Sequence, residues 1–161
     1  DLIRSSGVQF IWQTGKIYID DARRRVAEAG ELPMLHVTDF ISRMDLAYSA
    51  ADLVISRAGA GSISEFCLLR KPVVLVPSPN VAEDHQTKNA LALVDKGAAL
   101  YVKDSEAQEK MLATAIDAVN DAPRLRTLSE NIAKLAFYNS ADRIADEVLA
   151  LAANYRNNHE R

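Results

Sequence analysis

The chain has 161 residues, 48% of them apolar and 25% charged, the composition of a globular protein able to bury one sizeable core. A net charge of −3 offers no basic face to nucleic-acid phosphates, and no apolar run approaches the roughly 20 residues that span a bilayer. One cysteine, Cys67, excludes an internal disulfide and a multi-cysteine metal site, so a reducing, cytoplasmic setting is expected.

The first residues read as the continuation of a longer chain, so the lack of a secretory leader carries no weight. Val8 to Trp12, β-branched and aromatic, predicts a first strand. Ile17 to Gly30 follows as a helix whose Arg23, Arg24, Arg25 and Glu28 form a solvated face. Met34 to Val37 is a second strand, in which His36 is expected as a packed core histidine. Ile41, Met44 and Tyr48 fall at helical spacing and predict a short helix over Ile41 to Ala51. Leu53 to Ile55 is a third strand of the kind buried on both faces. A helix from Ser62 to Arg70 is halted by Lys71-Pro72 before the strand Val73 to Val76.

Pro77 to Asn80 must be loop, because its two prolines block helix and central strand alike. Helix resumes from His85 to Lys96, and Gly97 stands where a left-handed residue ends a helix. Ala98 to Val102 is a fifth strand. The stretch from Glu106 to Tyr155 is helical, with Pro123 as a break and a first-turn residue. Strict alternation of strand and helix predicts a single α/β domain: a parallel sheet with helices on both faces. Such sheets bind ligands at the strand-to-helix loops.

The most informative of those loops is Ser56-Arg57-Ala58-Gly59-Ala60-Gly61-Ser62-Ile63-Ser64-Glu65, which leaves a strand and opens a helix. Gly59 and Gly61 allow a ligand close to the backbone and permit positive φ. Amides around Ser62 and Ile63, at the positive end of the helix dipole, suit a phosphate. Glu65, about one turn inside, suits the vicinal diol of a ribose. Two other readings stand beside this one. Ser62-Ile63-Ser64-Glu65 also matches a capping box, and the glycines could serve tight packing. The next loop, Asn80 to Asn89, sets Gln86 and Asn89 on one helical face, and carboxamides both donate to and accept from sugar hydroxyls. Its alternative is Asp84 as a simple N-cap with solvated amides. Cys67 reads as a small core residue, His85 as a surface group and His159 as part of a disordered polar terminus, while the histidines lack metal-site spacing.

As an ordered set, Arg57 to Glu65, Lys71 to Pro77 and Asp84 to Ala90, with Trp12 to Gly15 and Val37 to Ile41 upstream, resemble the MurG family of bacterial N-acetylglucosaminyltransferases. The likeness runs from Val8 to Gly97. It implies the C-terminal half, a Rossmann-like α/β domain, of a two-domain GT-B glycosyltransferase of family 28 type that binds UDP-N-acetylglucosamine as donor. The implied reaction is inverting transfer of N-acetylglucosamine to a lipid-linked muramyl-pentapeptide, lipid I to lipid II, in peptidoglycan synthesis. By resemblance, Ile41 lies at the uracil. Gly59, Ala60, Gly61, Ser62, Ile63 and Ser64 form the phosphate-holding helix start, with Arg57 near enough to assist. Glu65 takes the ribose, while Gln86 and Asn89 take the sugar.

The resemblance also implies that the family's first strand of this domain, its glycine-serine loop and the N-terminal acceptor domain would stand before Asp1. The general base would lie there, leaving no catalytic residue and no bound metal or cofactor in this chain, which alone is expected to be inactive. The full-length protein would sit peripherally on the cytoplasmic face of the plasma membrane. Two alternatives remain: a non-catalytic sugar-nucleotide-binding subunit completed by a membrane-bound partner, and another UDP-sugar transferase or epimerase of the same fold.

Overall fold

The computed structural model describes residues 1–30, 32–80 and 84–159; Val81, Ala82 and Glu83 of the second expected ligand loop lie outside the described residues. Among the described residues five strands and seven longer helices alternate largely as expected, after a one-turn helix, α1 (Leu2–Ser5), that nothing in the sequence signals. The order is β1 (Phe10–Gln13), α2 (Ile19–Glu28), β2 (Leu35–Thr38), α3 (Met44–Ala50), β3 (Val54–Ser56), α4 (Ala60–Leu69), β4 (Val73–Leu75), α5 (His85–Val94) and β5 (Leu100–Tyr101). A short 3-10 turn, Asp104–Glu106, then leads into α6 (Ala107–Val119), α7 (Ala122–Ala133) and α8 (Ser140–His159).

Every strand pair is parallel, but the single sheet expected from alternation is two. β1 pairs with β2, setting Trp12 opposite Val37, while β4 lies between β3 and β5, setting Ile55 opposite Val74 and Leu75 opposite Tyr101. Alternation dictates parallel partners, because each crossover helix returns the chain in the same direction. It does not dictate which strands are neighbours, and among the described residues no ladder joins β1 to β3.

β4 organises the core. Successive strand side chains point to opposite faces, so Val73 and Leu75 pack with Ala58, Phe66, Cys67, Ala90, Leu93 and Ile132 beneath α4, α5 and α7. Val74 and Val76 pack on the other face with Val102 and the α6 residue Ala115. This is the expected layering of helices on both faces of a parallel sheet.

Helix ends follow the local chemistry. Gly97 takes φ +61 after α5, and the Ala98 amide reaches back to Leu93 O at 2.9 Å, closing the expected left-handed stop. α4 stops the same way with Arg70 at φ 55 and Lys71 N bonded to Phe66 O at 3.0 Å. Pro123 sits in the first turn of α7 behind the Asp121 cap, whose carboxylate accepts from Arg124 N at 3.0 Å. Among the described residues no helix is long and apolar enough to cross a membrane.

Candidate functional site

The site is assembled at the C-terminal ends of the strands, around the turn from β3 to α4. Gly59 caps α4 with extended backbone (φ −69, ψ 140), and no side chain closes the helix end. The helix therefore starts at Ala60, two residues before the expected start at Ser62. Its first backbone bond runs from Ile63 N–H to Gly59 O at 3.0 Å. The amides of Ala60, Gly61 and Ser62 have no acceptor among the described residues. Ile63, expected among the free donors, has its amide committed inside the helix. Unpaired amides at a helix N-terminus, with the dipole behind them, form a ready anion cradle.

The two glycines are explained by neither strain nor packing. Gly59 and Gly61 avoid the left-handed region, and a Cβ added to either would meet nothing within 4 Å. The space over the turn is open. The capping box is also absent: Ser62 is the third helical residue, and no side-chain cap bond forms. Ser64 Oγ instead donates to Ala60 O at 3.0 Å, while the exposed Glu65 carboxylate accepts from the Tyr48 hydroxyl at 3.2 Å. Burial first, and then the neighbouring Glu65, push the Tyr48 hydroxyl above its usual range, so it stays a donor at neutral pH.

Gln86 and Asn89, from α5, converge on this turn. Gln86 Oε1 accepts from Ala58 N at 3.2 Å and from Ser78 N at 3.0 Å, and Asn89 Nδ2 donates to Ala58 O at 3.1 Å. Both backbone groups of the fully buried Ala58 are thus satisfied by one helix face. The Gln86 carboxamide nitrogen makes no bond among the described residues, so the open side of this group is purely a donor. Asp84 precedes α5 with φ 54 and forms no side-chain cap, which removes the simple capping reading of this loop.

Arg57, expected near phosphate, is occupied in holding the loops. Its Nη1 donates to Val76 O at 3.1 Å and Pro77 O at 3.2 Å, and it pairs with the Asp104 carboxylate. Ile41 stands apart, at the end of β2 in the smaller sheet, with its amide donating to Gln13 Oε1 at 2.9 Å. The structure thus gathers Ala58, Gln86, Asn89 and Arg57 at the α4 start, and Glu65, within α4, is bonded by Tyr48 of α3. Ile41 lies three residues before α3, the helix that carries Tyr48.

Sequence reasoning missed Tyr48, Gln13 and Asp104. Tyr48 was legible only in part: its spacing from Ile41 and Met44 marked an inward face, while its hydroxyl called for a partner that spacing does not name. His36 is exposed rather than packed, because β2 belongs to the less covered sheet. Cys67 is buried as expected, and burial raises its thiol pKa, making it a core side chain rather than a nucleophile.

Comparison with known proteins gives this geometry a family. Residues 2–144 match the glycosyltransferase family 28 C-terminal domain. The chain is 70% identical over 161 residues to the UDP-N-acetylglucosamine–N-acetylmuramyl-(pentapeptide) pyrophosphoryl-undecaprenol N-acetylglucosamine transferase of Phocaeicola vulgatus, covering 100% of this chain and 43% of that protein. It is 68% identical over 148 residues to the transferase of the same name from Bacteroides thetaiotaomicron, covering 92% of this chain and 40% of the relative. Among solved structures, Acinetobacter baumannii MurG matches with a TM-score of 0.78 at 27% identity, over 92% of this chain and 46% of that one. ALG13 matches with a TM-score of 0.53 at 25% identity, over 73% of this chain and 70% of that one. The chain therefore spans less than half the length of the curated relatives it matches. A turn of open amides on a parallel α/β core, matched along most of its length by one family model, makes the chain a member of glycosyltransferase family 28, carrying that family's C-terminal domain.

Proposed function

We propose that this domain binds UDP-N-acetylglucosamine as donor for inverting transfer of N-acetylglucosamine to a lipid-linked muramyl-pentapeptide. The observation that carries the reading is the α4 start, where uncommitted amides and an exposed carboxylate lie about one turn apart. Charge builds on the departing diphosphate as the glycosidic bond breaks. The amides of Ala60, Gly61 and Ser62, already oriented, stabilise that charge without reorganising. Glu65 accepts from the ribose hydroxyls, and the free carboxamide nitrogen of Gln86 donates to a sugar oxygen. The Ile41 carbonyl is left to the uracil edge. The names of the relatives, which specify this donor and acceptor, support the assignment.

The acceptor and the base that deprotonates its hydroxyl belong, on this reading, to an N-terminal domain at the membrane's cytoplasmic face. A further parallel strand between β1 and β3 would join the two sheets into one. Calorimetric titration with UDP tests the assignment. Glu65→Ala is expected to weaken binding about 10- to 100-fold, the loss of hydrogen bonds to a charged group. Equal affinities for the variant and the parent would remove Glu65 from the site.

A second reading, a sugar-nucleotide-binding subunit that works with a separate partner, is favoured by the match to 70% of the ALG13 chain, a protein of comparable size. Donor turnover by the purified full-length protein with lipid acceptor and no added partner would exclude it.

A further inference from the structure

Glu65 has a problem that the donor-site reading leaves unsolved. It is an exposed side chain with three rotatable bonds, and fixing such a chain on a ligand costs on the order of 1–2 kcal/mol in lost rotamer freedom. No ion pair among the described residues holds it, and the local capping partner Ser62 does not reach it. The bond it does make is to the phenolic hydroxyl of Tyr48, seventeen residues earlier in the chain, at 3.2 Å.

That donor is rigid where Glu65 is not. The Tyr48 ring is half-buried against the core and meets Phe66 edge-to-face, with centroids 5.8 Å apart and planes at 86°. Phe66 is itself 1% exposed and follows Glu65 directly in α4. Ring and carboxylate are therefore referenced to the same turn of helix. A neutral donor leaves the carboxylate its charge, which a lysine or arginine partner would neutralise. It also engages a single oxygen, Oε2, leaving Oε1 for other donors.

Resting on the assignment of Glu65 to a ribose, we infer that Tyr48 is a positioning residue that presets the Glu65 carboxylate for a vicinal diol. The contact also links loops: α3 starts three residues after Ile41, so the element that follows the base-side loop holds the group that reads the pentose. Selectivity for ribose over deoxyribose nucleotides is then partly a property of Tyr48, although its hydroxyl touches no ligand.

The test compares UDP with 2′,3′-dideoxy-UDP by calorimetry on the parent, Tyr48→Phe, Glu65→Ala and the double variant. Tyr48→Phe keeps the ring on Phe66 and removes only the hydroxyl. It is expected to weaken UDP about 3- to 10-fold, to leave the dideoxy nucleotide within about 2-fold, and to add nothing to Glu65→Ala. Unchanged UDP affinity in Tyr48→Phe, with Glu65→Ala still defective, overturns the positioning role alone. Equal losses for both nucleotides, with a lowered unfolding temperature, overturn it in favour of simple packing. An intact Glu65→Ala sinks the ribose reading first, and this inference with it.

Discussion

The two sheets of this molecule follow the same strand-helix-strand pattern and end in very different states. In the three-stranded sheet, Val73, Val74 and Leu75 are each 0% exposed, because helices cover both faces. In the two-stranded sheet, Ile11 is 56% and Trp12 46% exposed, although these residues are just as apolar. Burial is thus conferred by neighbours, not by the strand's own composition. The turn of open amides at the start of α4 belongs to the well-covered half, where a packed layer holds backbone groups still. The loop with Ile41 belongs to the open half, where Gln13 Oε1 accepts from the Ile41 amide and the Thr38 hydroxyl and Asp39 carboxylate bond the Phe40 backbone.

The comparison can be broken most easily in the core. Leu75→Ala should cost about 2–5 kcal/mol in chemical denaturation, from lost burial plus the cavity left in a close-packed layer. Ile11→Ala should cost less than about 1 kcal/mol, since its side chain is already half in water. Similar costs at the two positions would show that the sheets are equally consolidated in solution.

A smaller effect sharpens the contrast at the site itself. Gln86→Leu leaves the Ala58 and Ser78 amides without their acceptor, and the unfolding free energy should fall by about 1–3 kcal/mol. Gln86→Glu, which keeps an acceptor oxygen, should lose less. If both variants matched the parent, the ties to Ala58 and Ser78 would carry no stability.

The smallest effect is expected on α2, in the open half. The Arg24 guanidinium, followed by that of Arg25, holds the exposed Asp21 carboxyl below its ordinary value of 3.8. A depressed carboxylate contributes above that ordinary value and ceases to contribute as pH falls through its lowered one. Any advantage of the parent over Asp21→Asn should therefore be flat from neutral to weakly acidic pH, vanish in strong acid, and shrink with added salt. Unfolding curves at several pH values and two salt concentrations would check this.

Much of this was legible in the chain, for identifiable reasons. Short β-branched runs bounded by Gly97, Pro72 and Pro77 could only be strands, and Gly97 and Pro123 carry out the helix punctuation their chemistry predicts. What was not legible depends on distant partners. The break between β1 and β3 is a matter of which strands neighbour each other, which periodicity cannot encode. The α4 start was misplaced because Gly59 caps by backbone geometry alone, whereas Ser62, three residues on, imitates a side-chain cap. Gln86 and Asn89 were correctly placed on one helical face, but their grip on Ala58 lies in the fold rather than in their spacing.

The Gln86 carboxamide has a consequence for how this domain can change. One planar group spans three chain segments, its oxygen bracing two loops while its nitrogen makes no bond among the described residues. Replacing residue 86 would therefore also loosen the turn that opens α4 and the loop after β4.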